Sequence, residues 1–203
     1  FSLAKHSDTL VDKNDTTKGY EPLSNAAFSV YDKDKTAAIP MVKVTTAAGE
    51  VYYRPAAAGE TGTVTELPAD QGAGNNTLLV RGLDVKEYTV AEVKTPSGFY
   101  APKGDFKVVL EGERDAGTST LNGNLNDTST FTHKDDADQG LINGRAVLHD
   151  GDLSRLDASL KNSSSPLLPT TGGVGTVMFT VVGVALMGLA LWFFLLRRRR
   201  DEE

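Results

Sequence analysis

The sequence contains no cysteine, so disulfides, thiolate zinc sites, iron–sulfur clusters and cysteine nucleophiles are excluded. If the chain works in an oxidising compartment, something other than disulfides must staple it. Positive charge is in deficit: 21 Lys and Arg face 27 Asp and Glu, a formal net charge of −6. That balance argues against bulk nucleic-acid binding, which needs a basic patch to displace counterions. No P-loop or dinucleotide fingerprint occurs. His6, His133 and His149 show no metal-ligand spacing and suggest no Ser-His-Asp grouping. Asp135-Asp136-Ala137-Asp138 lacks the glycine and terminal glutamate of an EF-hand loop and reads as a solvated acidic loop. No metal and no cofactor are expected. The chain opens on Phe1 with no signal peptide before it, and reads as the C-terminal part of a longer precursor. A missing export signal is then uninformative about location.

What remains is ordinary globular material, 39% hydrophobic and 24% charged over 203 residues, enough for one or two domains. The one long uncharged run lies near the end, from Val174 to Leu196. A spanning helix needs about 20 apolar residues, whereas buried core helices are amphipathic and usually shorter. Trp192 sits near one end of the run, where amphipathic aromatics favour the membrane interface. Arg197, Arg198, Arg199 and Arg200 follow at once. The positive-inside rule assigns them to the cytoplasm and residues 1–173 to the outside. Removing residues 197–203 takes away four arginines and three acids, leaving the rest one unit more negative than the whole.

Immediately before the run stands Leu168-Pro169-Thr170-Thr171-Gly172. The proline favours an extended, non-helical segment suited to a protease-like cleft. Motif, apolar span and arginine cluster together resemble the cell-wall sorting signal of Gram-positive surface proteins, Leu-Pro-any-Thr-Gly, at all four fixed positions. The resemblance implies that a sortase cuts between Thr171 and Gly172. The Thr171 carbonyl then passes, through an enzyme thioester, to an amine of peptidoglycan precursor or to a lysine of a neighbouring pilin subunit. The span becomes a temporary membrane hold on a precursor destined for the cell wall. A GPI-type signal wants small residues at the cut and no basic cytoplasmic end.

Residues 1–162 read as one all-β domain, with residues 163–167 as linker. Short alternating runs are separated by turn residues: Ala26–Tyr31, Met41–Thr46, Glu50–Arg54, Thr63–Leu67, Thr77–Val80, Glu87–Lys94, Phe106–Leu110, Ser129–His133 and Ala146–His149. Such a series predicts a β-sandwich or barrel. Residues 8–21 and 111–127, rich in Asp, Gly, Thr and Asn, are expected to be loops. No internal repeat is present.

Three polar residues continue apolar stripes. A period of two puts Phe1, Leu3 and Lys5 on one side; Tyr88, Val90 and Glu92 on another; and Leu156, Ala158, Leu160 and Asn162 on a third. A charge at the end of a stripe can snorkel to solvent, and a buried Lys–Glu pair can be a simple salt bridge.

Glu21-Pro22-Leu23-Ser24-Asn25-Ala26-Ala27-Phe28 and, further on, Tyr88-Thr89-Val90-Ala91-Glu92 with Pro96-Ser97-Gly98-Phe99 carry a second resemblance. They are similar to the opening and the E-box of Cna-B-type (SpaA-like) pilin domains, which are Ig-like β-sandwiches. Lys86, where that family usually has glycine, departs from the pattern, as do Val93 and Lys94. The resemblance spans roughly residues 1–165. It implies an intramolecular isopeptide bond between a first-strand lysine and a last-strand asparagine, here Lys5 and Asn162, with Glu92 as catalyst. The chemistry is reasonable in its own right. Burial favours the neutral forms of an amine and of a carboxyl. A neutral Lys5 is nucleophilic. Glu92 in its acid form is expected to donate to the Asn162 amide oxygen. Attack by Lys5 then expels ammonia. Asn143, in Asn143-Gly144, is the rival acceptor, although Asn-Gly between apolar runs is a strong hairpin signal.

The expected function is structural: a pilus (fimbrial) subunit, secreted, anchored through sortase and supporting adhesion. No catalytic constellation appears beyond the single-turnover Lys–Glu–Asn set, so the protein is not expected to be an enzyme. Two alternatives stay open: a wall-anchored adhesin that does not polymerise, and a single-pass membrane receptor whose arginines only stop transfer. A shaft pilin needs an acceptor lysine in a motif usually carried by an N-terminal domain, and the sequence offers no convincing one.

Overall fold

Alternation along the strands decides which side chains meet. The computed structural model describes residues 1–114, 121–125, 128–134, 141–142, 147–149, 152–165 and 186–187. The chain divides into two units, Phe1–Pro166 and Leu167–Glu203. In the second, Leu186 and Met187 are helical and exposed. Among the described residues no helix is long and apolar enough to cross a membrane. The sorting motif, the remainder of the expected span 174–196, the tail 197–203, Asn143 and the acidic run 135–138 all lie outside the described residues.

The first unit is built from strands β1 (Ser2–Leu10), β2 (Tyr20–Pro22), β3 (Ala27–Asp32), β4 (Met41–Thr45), β5 (Val51–Pro55), β6 (Leu67–Pro68), β7 (Thr77–Leu79), β8 (Glu87–Lys94), β9 (Phe106–Val109), β10 (Gly112–Arg114), β11 (Leu121–Leu125), β12 (Thr130–His133), β13 (Val147–His149) and β14 (Asp152–Asn162). One short 3-10 helix, Thr16–Lys18, interrupts them. One sheet runs β13-β14-β1-β2, with β7 also pairing β1; the other runs β12-β9-β8-β3-β6. Two ribbons, β4-β5 and β10-β11, complete the domain.

The first and last strands, β1 and β14, lie side by side and parallel, with Leu3 opposite Ala158, Lys5 opposite Leu160 and Ser7 opposite Asn162. Parallel neighbours cannot be joined by a tight turn; here almost the whole domain connects them. Leu3, Leu156, Ala158 and Leu160 from this sheet share one buried core with Phe28, Val30, Val90, Phe106, Val108 and Phe131 from the other. The Phe131 ring meets Phe1 edge-on at 5.9 Å and Phe106 at 5.6 Å between centroids. Such aromatic pairs add about 1 kcal/mol each beyond area burial.

Three local expectations need correction. Residues 8–21 are not all loop: β1 continues to Leu10, and β2 and the 3-10 helix follow. Polar Ser7 and Asp8 stay in the strand because its backbone pairs with β14 and β2. Residues 112–125 include a hairpin, β10–β11. Its Gly, Asn and Arg content hides the alternation that normally betrays a strand. The expected strand 63–67 reduces to a bridge between Val64 and Met41 and the two-residue β6.

Candidate functional site: a buried lysine, glutamate and asparagine

Each member of the site comes from a strand whose apolar stripe it continues. On β1 the inward positions are Leu3, Lys5 and Ser7, all buried, with Lys5 fully so. On β14 they are Leu156, Ala158, Leu160 and Asn162, and Asn162 is likewise at 0% exposure. Glu92 belongs to β8 in the opposite sheet, where it pairs with Phe28 of β3. Its side chain is 3% exposed. The core between the sheets therefore ends in three polar groups facing one another.

They form a closed ring of hydrogen bonds. Lys5 Nζ donates to Glu92 Oε2 at 2.8 Å and to Asn162 Oδ1 at 2.5 Å. Asn162 Nδ2 donates to Glu92 Oε1 at 2.7 Å. The Lys5 amine also stands 5.9 Å from the centre of the Phe28 ring. Burial lowers the Lys5 pKa from its ordinary 10.5, and outweighs the charge and hydrogen bond of Glu92, which act to raise it. A neutral amine is thus easier to reach here than in water. Glu92 touches Asn162 through the amide nitrogen, not through the amide oxygen that the sequence led us to expect. Its two oxygens consequently contact the Lys5 amine nitrogen on one side and the Asn162 amide nitrogen on the other.

Two supports flank the ring. After β8, Phe99 N–H donates to Pro96 C=O at 3.2 Å across a turn with Gly98 at φ 83°. A positive φ at the third position suits glycine. The turn delivers Tyr100, which exchanges backbone hydrogen bonds with Ser163 at 2.8 and 3.0 Å. Asp8 Oδ2 accepts from the Ser164 amide at 3.0 Å and from the Ser163 and Ser164 hydroxyls at 3.2 Å. Both hold the chain just beyond Asn162. Nothing in the sequence singled out Asp8 or Tyr100, because each sits in a polar or turn-rich stretch without periodicity.

A β-sandwich domain followed by a wall-anchor signal defines a class of cell-wall-attached surface protein. Residues 160–203 match the LPXTG cell wall anchor motif, and residues 8–124 match the SpaA family, a prealbumin-like fold domain. The chain belongs to the SpaA prealbumin-like fold domain family. The domain match begins after Lys5 and ends before Asn162, so it does not itself include the terminal-strand pair. No curated protein matches the sequence. Solved structures similar to it include the minor pilin GBS52 of Streptococcus agalactiae, at 13% identity and a TM-score of 0.39, covering 83% of this chain and 45% of that one. A C-terminal fragment of the pilus adhesin SpaC from Lactobacillus rhamnosus GG is 16% identical with a TM-score of 0.39, covering 83% and 46%. The group B streptococcus pilus 2b backbone protein is 17% identical with a TM-score of 0.37, covering 83% and 42%. The chain spans under half the length of each of these.

Proposed function

We propose that this chain is a structural subunit of a surface pilus, made rigid by an amide between Lys5 and Asn162 and fixed by sortase through Thr171. The observation that carries the reading is the buried ring of Lys5, Glu92 and Asn162 in a chain that ends in a wall-anchor signal. Glu92 acts as the proton relay. Through Oε2 it takes a proton from the Lys5 ammonium, and the neutral amine attacks the Asn162 Cγ. As the tetrahedral centre collapses, the Cγ–Nδ2 bond breaks. The departing nitrogen receives a proton through Oε1 and leaves as ammonia. The new nitrogen gives up its second proton, which remains on Glu92, so charge and protons balance.

The reaction occurs once per chain and serves maturation. Lys5 and Asn162 lie 157 positions apart. Closing a loop of that length stabilises by about 5 kcal/mol on the chain-entropy argument. The bond would carry tension between terminal strands without passing it through the hydrogen-bond ladder. The wall end of the reading is tested by fractionation of Gram-positive cells expressing the parent or Thr171→Ala. The expected result is a wall-linked parent, in detergent-resistant ladders that require a pilin sortase, and a variant retained in the membrane. A single wall-linked species would instead make it a non-polymerised adhesin. Unchanged release of the variant would overturn sortase processing and favour a membrane receptor.

A further inference from the structure

We propose that Asn76 is a positioning residue for the crosslink, holding the Lys5 backbone at the point where β1 changes partners. The inference rests on the Lys5–Asn162 reading above. On one edge, β1 pairs with β7 through Ala4, opposite Thr77, and with β2 from His6, opposite Pro22. Lys5 falls in the gap. Its amide donates to the Asn76 carbonyl at 2.8 Å, as a continuing ladder would require. The Asn76 amide is turned away and donates to Gln71 C=O at 3.0 Å. The Asn76 side chain takes over the vacated place: Nδ2 donates to Lys5 C=O at 2.6 Å. Leu23, the residue just after β2, donates to the same carbonyl at 2.9 Å. Lys5 C=O thus holds the outgoing and the incoming strand together, and Asn76, 7% exposed, is sealed beneath the junction.

The neighbouring residues leave the amide little freedom. A Cβ on Gly74 would stand 2.6 Å from Pro22 Cβ and 2.8 Å from Asn76 Oδ1, so only glycine fits there. Fixing the Lys5 backbone matters because a reacting atom displaced by about 1 Å can lose about a hundredfold in rate. The lysine stem is long and flexible, and a strand that can shift at its base multiplies the positions open to Nζ.

The test follows ammonia loss from the full chain by mass after pulse-labelled cell-free synthesis, comparing the parent, Asn76→Ala, Asn76→Asp and Gly74→Ala. Each is also made with Lys5→Met and Glu92→Ala together, so that the folded fraction is measured on chains that cannot react and carry no unpaired buried ammonium. The expected result is at least tenfold slower ammonia loss per folded chain in Asn76→Ala and in Asn76→Asp, which keeps the shape and removes the donor. Gly74→Ala, which crowds the same amide, is expected to be slow as well. A parent rate per folded chain in the Asn76 variants overturns the positioning role and leaves the crosslink standing. Slowing that merely follows the unfolded fraction also overturns it, since any stabilising residue would do that. If Asn76→Ala does not fold, Asn76→Asp decides by the same rate. A parent that never loses ammonia overturns the isopeptide reading, and this role with it.

Discussion

Lys5 and Glu92 illustrate why an ion pair at a buried site is poor stabiliser and good chemistry. Two charges taken out of water recover their solvation only through excellent geometry, while breaking such a pair leaves one charge uncompensated at about 3–5 kcal/mol. Glu92→Ala is therefore expected to abolish the crosslink and to destabilise the unreacted chain by about 3 kcal/mol or more. Adding Lys5→Met to that variant should recover much of the loss, read by chemical denaturation. No recovery would mean that the ammonium is not the unpaired group. The pH dependence follows from the amine. Burial lowers the Lys5 pKa, so the neutral, nucleophilic form is reached at a pH below the ordinary 10.5. Crosslinking is expected to slow in acid, where the amine is held as ammonium, and to level off before pH 10.5. A rate that keeps rising through that pH contradicts a buried amine with a lowered pKa.

At the scale of elements, the strands that carry the site were readable and their supports were not. The alternation of Tyr88, Val90 and Glu92 sets β8 with the bounds expected, Glu87 to Lys94. The stripe Leu156, Ala158, Leu160, Asn162 likewise gives the inward face of β14. Both are period-two patterns in which every second residue is apolar until the last. Asn76 lies in Gly72-Ala73-Gly74-Asn75-Asn76, where turn composition conceals a buried amide bonded to another strand. Asp8 lies among polar residues that owe their strand to pairing on both edges. Its latch on Ser163 and Ser164 is an element-level device for seating the end of β14. Burial acts to raise the Asp8 pKa, but the Ser164 amide and hydroxyl and the Ser163 hydroxyl outweigh it, and the net shift is downward from 3.8. A depressed carboxyl stabilises above its ordinary value and loses that contribution as pH falls through its folded value. The latch should hence hold at neutral pH and release only below pH 3.8. Asp8→Ala is expected to speed hydrogen exchange at Ser163 and Ser164 at neutral pH while sparing β8. Unchanged exchange there would show the latch to be dispensable.

For the whole molecule, the absence of cysteine and the pairing of β1 with β14 belong together. Disulfides often staple small exported domains. Here the first and last strands are neighbours, and Lys5, midway along β1, reaches across to Asn162 at the end of β14. The closing bond is expected to add about 5 kcal/mol to unfolding of the parent relative to an unreacted chain. In denaturant this should appear as a higher midpoint for the parent than for Asn162→Ala. Equal midpoints would leave the amide without a stabilising role. The anchor signal was legible because three independent physical features follow one another in fixed order: an extended proline motif, an uncharged run and a basic end. The parallel pairing of β1 with β14 had no local signature, since it joins partners as far apart in the sequence as Ser2 and Asp157. The family resemblance implied a crosslink between first and last strand, not this pairing.

The most direct measurement is the intact mass of the full chain, expressed where no sortase acts and purified in detergent, beside its Glu92→Ala variant. The account predicts a parent lighter than its sequence mass by one ammonia, a variant at full sequence mass, and a single branched peptide joining Lys5 to Asn162. A parent at full sequence mass, or a branch from Lys5 to Asn143, would contradict it.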